Sequence, residues 1–209
     1  MHKKKKIMVT GGFGFVGSHL IKKLDETFSD LEIICFDKMT YAANFSNLDQ
    51  NKIKNKFKFI KADICNFSKL EKVSRDVDFI INCAAESHVD KSFKSSKSFL
   101  ETNIIGSRNV FECARLNQNI QKIIHISTDE VFGENLGKSF VENSRLKPTN
   151  PYSASKACAE ILAKTFIKTF NTPITIVRAN NLYGINQFPE KIIPYTCYSL
   201  AKKKKIILS

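Results

Sequence analysis

The stretch TGGFGFVGSH, from Thr10 to His19, decides the fold of this chain. It follows a short apolar run, Ile7 to Thr10. It opens a segment, Gly14 to Leu24, in which Val16, Leu20, Ile21 and Leu24 recur at helical spacing. A strand that stops at a glycine cluster and re-emerges as a helix is the first half of a βαβ unit. Gly11, Gly14 and Gly17 stand in a GxxGxxG pattern, with Phe15 and Val16 between the last two. Glycines there permit a tight turn and let backbone approach a pyrophosphate, while the helix N-terminus offers amides and partial positive charge. Glycine turns are common, so the pattern gains its meaning from what surrounds it.

Working outward, further apolar runs read as strands at Leu31 to Phe36, Phe57 to Ala62, Phe79 to Cys83, Lys122 to Ser127 and Ile174 to Arg178. Long helices are expected over Phe99 to Leu116 and Tyr152 to Phe170, and a last strand over Lys205 to Leu208. Strands alternating with helices imply right-handed crossovers and a doubly wound, parallel α/β sheet of the Rossmann kind. Ligands bind such sheets at the carboxyl ends of the strands, and the polar motifs cluster there: after Thr10, Phe36, Ala62 and Cys83, and at Ser127.

The chain has 209 residues, 43% of them hydrophobic and 25% charged, which suits one globular domain with a sizeable core. Its formal charge of +13 rests partly on two lysine runs, Lys3 to Lys6 and Lys202 to Lys205. No arginine-and-aromatic stripe accompanies them, so nucleic acid is not the expected partner; a solvated basic surface is, and that balance also suits anionic ligands. The six cysteines, at 35, 65, 83, 113, 158 and 197, form no CxxC pair, so no metal site is expected. Several sit in apolar segments, as free thiols do in a reducing, cytoplasmic compartment. The basic start, Met1 to Met8, has its apolar run cut short by Gly11 and Gly12 and reads as neither a signal peptide nor a membrane span.

Asp37 closes the second strand about 20 residues after the glycine loop, where an acid binds ribose hydroxyls and repels a 2′-phosphate. NAD is therefore the expected cofactor. Tyr152 and Lys156 lie four apart, on one face of a helix. A neighbouring ammonium and a positively charged nicotinamide would both favour the phenolate, making the phenol a base near neutral pH. Ser127 and Thr128 are of the type that complete a hydroxyl-handling site with that tyrosine. Asp129 and Glu130 follow as adjacent carboxylic groups at a strand's carboxyl end. Standing alone, each of these features would read as a cap or a surface pair; they stand together.

The segments TGGFGFVGSH, DKMTYAANFSNL, AAESHVDKSF, STDEVFG, NPYSASKA and NNLYGINQFPEKIIP cover nearly the whole chain. In them the chain resembles nucleotide-sugar 4,6-dehydratases, particularly those acting on dTDP-glucose, within the extended short-chain dehydrogenase/reductase family. The resemblance implies that Lys38, Thr40, Asp63, Ile64, Ala84, Ala85, Ser87 and Thr102 join Asp37 around the cofactor. It implies that Ser87, Asn181, Lys191 and Ile192 contact the sugar nucleotide and that Thr128 holds its 4-hydroxyl. Removing water from a hexose needs one group to take the proton on carbon 5 and another to protonate the departing 6-hydroxyl; the resemblance gives Glu130 the first role and Asp129 the second.

There are departures: Phe132 replaces a tyrosine, Leu182 an asparagine and Ile185 a proline, and Leu182 has the flavour of enzymes that include the UDP-glucose branch. The resemblance also implies an NAD-binding domain over residues 1–180, with residues 181–209 beginning a smaller substrate domain most of which would lie beyond Ser209. It implies a homodimer packed through the two long helices, with Ile161, Leu162 and Phe166 as contact positions. A UDP-glucose dehydratase, a nucleotide-sugar epimerase or decarboxylase, and an inactive NAD-binding protein stay open as alternatives.

Overall fold

The computed structural model describes residues 4–135, 137 and 139–206. Six strands form one sheet: β1 (Lys5–Thr10), β2 (Leu31–Asp37), β3 (Lys56–Lys61), β4 (Phe79–Asn82), β5 (Lys122–Thr128) and β6 (Ile174–Ala179). Their order is β3-β2-β1-β4-β5-β6 and every pairing is parallel. This is the doubly wound arrangement expected, with its switch point between β1 and β4. The expected strand at Lys205 to Leu208 falls partly outside the described residues; Lys205 and Ile206, which are described, form none.

The pleat separates two cores. From β1 and β2, Ile7, Val9, Ile33 and Cys35 face α1 (Phe15–Thr27) and pack with Phe13, Ile21 and Leu48. Met8, Ile34 and Phe36 point the other way. They meet Leu70 of α2 (Phe67–Ser74), Val110 and Phe111 of the helix before β5, and Ala163 and Phe166 of the helix before β6. Both faces being covered explains why the strands read as apolar runs without alternation.

The helix expected from Phe99 to Leu116 is longer and irregular. After α3 (Val89–Lys94) comes α4 (Lys97–Phe99), which continues into a π-helical stretch, Leu100–Gly106, and then α5 (Ser107–Leu116). The widened turns place Asn103, fully buried, with its Oδ1 accepting from Glu86 N–H at 2.9 Å and its Nδ2 donating to Glu86 O at 2.9 Å and Ser155 Oγ at 2.8 Å. Such bulges recur at functional sites. The helix carrying Tyr152, α6 (Pro151–Phe170), begins with Pro151 in its first turn and a reciprocal cap between Asn150 and Ser153, and ends at Asn171 in the left-handed conformation (φ 53°). A seventh helix, α7 (Ile192–Ala201), follows the cleft segment. Among the described residues no helix is long and apolar enough to cross a membrane. Lys4, Lys5 and Lys6 each lie within ion-pair distance of an acid: Asp30, Asp78, and Glu32 with Asp76 respectively.

Candidate active site

The glycine loop is fitted to its neighbours. Gly11 adopts φ +66°, and a Cβ on it would lie 2.9 Å from the Ala84 backbone, so an L side chain is excluded by conformation and by space. At Gly17 a Cβ would come within 2.8 Å of Gly12 Cα. The loop and the first turn of α1 therefore lie close against the β4 crossover, and Gly14, the N-cap, adds no side chain over the amides. Thr10 fixes this junction from below: its hydroxyl donates to Asn82 Oδ1 at 2.6 Å and accepts from Ala84 N–H at 3.2 Å.

Two adjoining cavities open at the carboxyl ends of the strands. The smaller, about 110 Å³, is lined by Asp37, Lys38, Thr40, Asp63, Ile64, Ala84, Ala85 and Thr102 among others. The larger, about 580 Å³, is lined by Phe15, Val16, Gly17, Ser87, Thr128, Glu130, Tyr152, Lys156, Asn181, Lys191 and Ile192 among others. Gly11, Gly14, Ala42, Cys83 and Ala85 border both. The structure thus gathers the proposed cofactor residues and all but one of the proposed catalytic and substrate residues around one continuous cleft. Asp129 is not among the lining residues; its Oδ1 accepts from the Thr128 hydroxyl at 3.3 Å.

At the small cavity, Asp37 is buried. Its Oδ2 accepts from Phe13 N–H at 2.9 Å and its Oδ1 from Met39 N–H at 2.7 Å. Burial raises its pKa and the two amides only partly offset this. Each oxygen keeps a lone pair for a hydroxyl donor. Lys38 reaches across to Asp63 at 2.7 Å. Burial would raise the Asp63 pKa, but the Lys38 and Cys65 hydrogen bonds bring it below the usual value.

At the large cavity, Tyr152 is 8% exposed and Lys156 4%. Lys156 Nζ donates to Ile126 O at 2.6 Å. Its burial lowers its pKa to about 8, with Cys83 and Glu160 opposing the shift. The protein's own groups act against the acidified tyrosine that Lys156 and a charged nicotinamide would together favour. Burial, then the Glu130 charge, push Tyr152 up to about 12; the Thr128 hydroxyl lowers it slightly and Asp129 raises it. Desolvation is the largest cause of this rise, and the carboxyl charges add to it. Ser127 borders the same cavity, but its hydroxyl donates to Glu160 Oε1 at 2.6 Å. Glu160 is fully buried and pairs with Arg178 at 2.7 Å. Glu130 takes Asn150 Nδ2 on its Oε2 at 3.4 Å, and its own N–H donates to Thr128 Oγ1 at 3.2 Å. The cap residue of the Tyr152 helix therefore also positions Glu130.

Several lining residues escaped the sequence reading, among them Asn180, Tyr183, Gln187, Phe188 and Glu190. Gln187 donates to Leu182 O at 3.2 Å while its buried Oε1 has no partner among the described residues. Their segment has neither strand nor helix periodicity, so nothing local marked which side chains turn inward.

The sequence pattern of the family described as GDP-mannose 4,6 dehydratase matches residues 8–209. A dTDP-D-glucose 4,6-dehydratase of Dictyostelium discoideum is 43% identical over 96% of this chain and 49% of its own length. A trifunctional UDP-glucose 4,6-dehydratase of Arabidopsis thaliana is 40% identical over 92% of this chain and 30% of its own length. The chain thus spans about half or less of these curated relatives. Among solved structures, a dTDP-glucose 4,6-dehydratase from Streptomyces venezuelae with NAD bound superposes with TM-score 0.89 at 37% identity, covering 95% of this chain and 62% of that one. The neighbour's cofactor is the one that Asp37 leads one to expect. With the glycine cradle, the twin cavities and the Thr128–Tyr152–Lys156 grouping in place, the match over residues 8–209 shows that this chain belongs to the GDP-mannose 4,6 dehydratase family.

Proposed function

We propose that this chain carries the NAD-binding and catalytic part of a nucleotide-sugar 4,6-dehydratase acting on dTDP-glucose, with residues 1–180 as the cofactor domain and 181–209 as the start of the substrate region. The observation that carries it is Glu130 facing the same cavity as Thr128, Tyr152 and Lys156, since an enzyme that only oxidises and reduces carbon 4 has no need of a second proton-transfer group there. The cradle fits a dinucleotide: the glycines leave room for a pyrophosphate, Asp37 can take ribose hydroxyls, and the two adjoining cavities suit its two ends.

When bound, NAD would supply the temporary oxidation of carbon 4 that makes the carbon 5 proton acidic, and its reversal at carbon 6. Tyr152 removes the 4-hydroxyl proton while Thr128 orients that hydroxyl. Lys156, one helical turn from Tyr152 and held on the Ile126 carbonyl, supplies the buried positive charge of the site. Glu130 then takes the carbon 5 proton and Asp129, reached by a side-chain turn out of its Thr128 contact, protonates the leaving 6-hydroxyl. Ser87, Asn181, Lys191 and Ile192 hold the sugar nucleotide. The product is a 4-keto-6-deoxy sugar.

The second reading keeps the chemistry and changes the base: Leu182 at the cavity wall and the Arabidopsis relative favour UDP-glucose. Both are tested together by offering dTDP-glucose and UDP-glucose deuterated at carbon 4. Label on carbon 6 of a 4-keto product supports the dehydratase, and the better substrate names the base. A product keeping its 6-hydroxyl refutes dehydration in favour of epimerase chemistry.

A further inference from the structure

The strand order places β2 and β6 four positions apart, about 19 Å at the usual strand spacing. Yet the segments that follow these two strands touch. Tyr41, in the loop after β2, donates its hydroxyl to Glu190 Oε1 at 3.1 Å. Lys91, on α3 after β4, donates to Glu190 Oε2 at 3.0 Å. The Lys91 ammonium also lies 3.2 Å from the centre of the Tyr41 ring, and Phe188 meets the same ring edge-on at 5.2 Å. His88 Nε2 stands 3.9 Å from Glu190 Oε2. A further tie runs from Asn186 Nδ2 to Asn47 O at 3.4 Å. The Glu190 side chain is only 11% exposed.

Segments from opposite sides of the sheet meet only by crossing the carboxyl ends of β1, β4 and β5, where the two cavities join. Ala42, the neighbour of Tyr41, borders both cavities, and Phe188 and Glu190 line the larger one. A dinucleotide extended through both cavities would lie under this crossing. We propose that Glu190 is a positioning residue: with Tyr41 and Lys91 it clasps the cleft over the cofactor, and NAD enters and leaves only when the clasp opens. The inference rests on the NAD reading above. It concerns residues to which that reading gives no role. Because the clasp groups need not touch the cofactor, opening it speeds entry and exit alike and moves the equilibrium affinity much less than either rate.

The test uses the chain loaded with radiolabelled NAD and chased with excess unlabelled NAD, comparing the unmodified protein with Glu190→Ala, Lys91→Met and Tyr41→Phe. Loss of the two hydrogen bonds to the buried carboxylate in Glu190→Ala should accelerate release about 10- to 100-fold, with association accelerated similarly. Lys91→Met should show most of this effect and Tyr41→Phe the least, because the ring contacts persist. Thermal melts establish that each variant is folded; where Glu190→Ala is not, the other two carry the comparison. Unchanged release rates in folded variants overturn the clasp, as does a weaker affinity produced by slower association. Failure of the unmodified chain to take up any NAD overturns the cofactor reading itself, a separate result.

Discussion

At the scale of single residues, the cleft is governed by how burial treats charge. Lys156 is buried on a carbonyl, and its pKa falls to about 8 from the ordinary 10.5. Between those values the unfolded chain holds the proton and the native state does not, so this group's contribution to stability rises with pH across that window. Below pH 8 the native state carries the full cost of the buried ammonium, about 3 kcal/mol by linkage. Lys156→Met should therefore be more stable than the parent at pH 7, with the gap closing towards pH 10.5. Urea unfolding at several pH values checks this; a gap independent of pH would show that packing, not charge, sets it. The catalytic roles separate by readout. Glu130→Gln should slow water loss by about 10²- to 10⁴-fold and leave NAD affinity unchanged, whereas Tyr152→Phe should stop the reaction before carbon 4 is oxidised. Stopped-flow absorbance of reduced cofactor distinguishes them, because only the Glu130 variant would accumulate it.

Among the elements, the π-helical stretch has the clearest consequence. Asn103 satisfies both backbone groups of Glu86 and the hydroxyl of Ser155, tying the loop that carries Ser87 to the helix that carries Tyr152. Asn103→Ala leaves the Glu86 backbone groups unpaired, while Ser155 keeps its bond to Tyr152 O, and should cost about 2 kcal/mol. It should also weaken binding of both NAD and the sugar nucleotide, since Glu86 lines the smaller cavity and Ser87 the larger. Chemical denaturation and paired titrations measure the two effects, and a folded variant with parental stability would refute the tie. The helix itself was legible from its apolar period, but the bulge was not. One extra residue in a turn leaves no local signature, and what fixes it is a partner far along the chain at Ser155.

For the whole molecule, the expected pairing through the long helices needs one revision. Of the three apolar positions assigned to it, Phe166 is buried in the core and Leu162 packs against that core. Ile161 is 55% exposed on α6, and Leu100 and Ile105, at 46% and 52%, are exposed on the π-helical stretch that packs against α6. We propose that these form the dimer face. Ile161→Glu would bury a charge there and should shift the protein to monomer, as read by light scattering at micromolar concentration. A parent that is already monomeric would refute the pairing, and a variant that stays dimeric would move the interface elsewhere.

The sequence by itself determined the six parallel strands, the glycine cradle, Asp37 and the Tyr152–Lys156 pair. Each is a local pattern: an apolar run, a turn with no space for Cβ, an acid at a strand end, two residues one helical turn apart. Only the tertiary structure decided the direction of Ser127 towards Glu160, the rise of the Tyr152 pKa, the place of Asp129 off the cavity wall and the meeting of Tyr41 with Glu190. All of these depend on side chains distant in sequence sharing a buried space, where desolvation and charge act over a few ångströms and sequence spacing carries no information about which groups will meet.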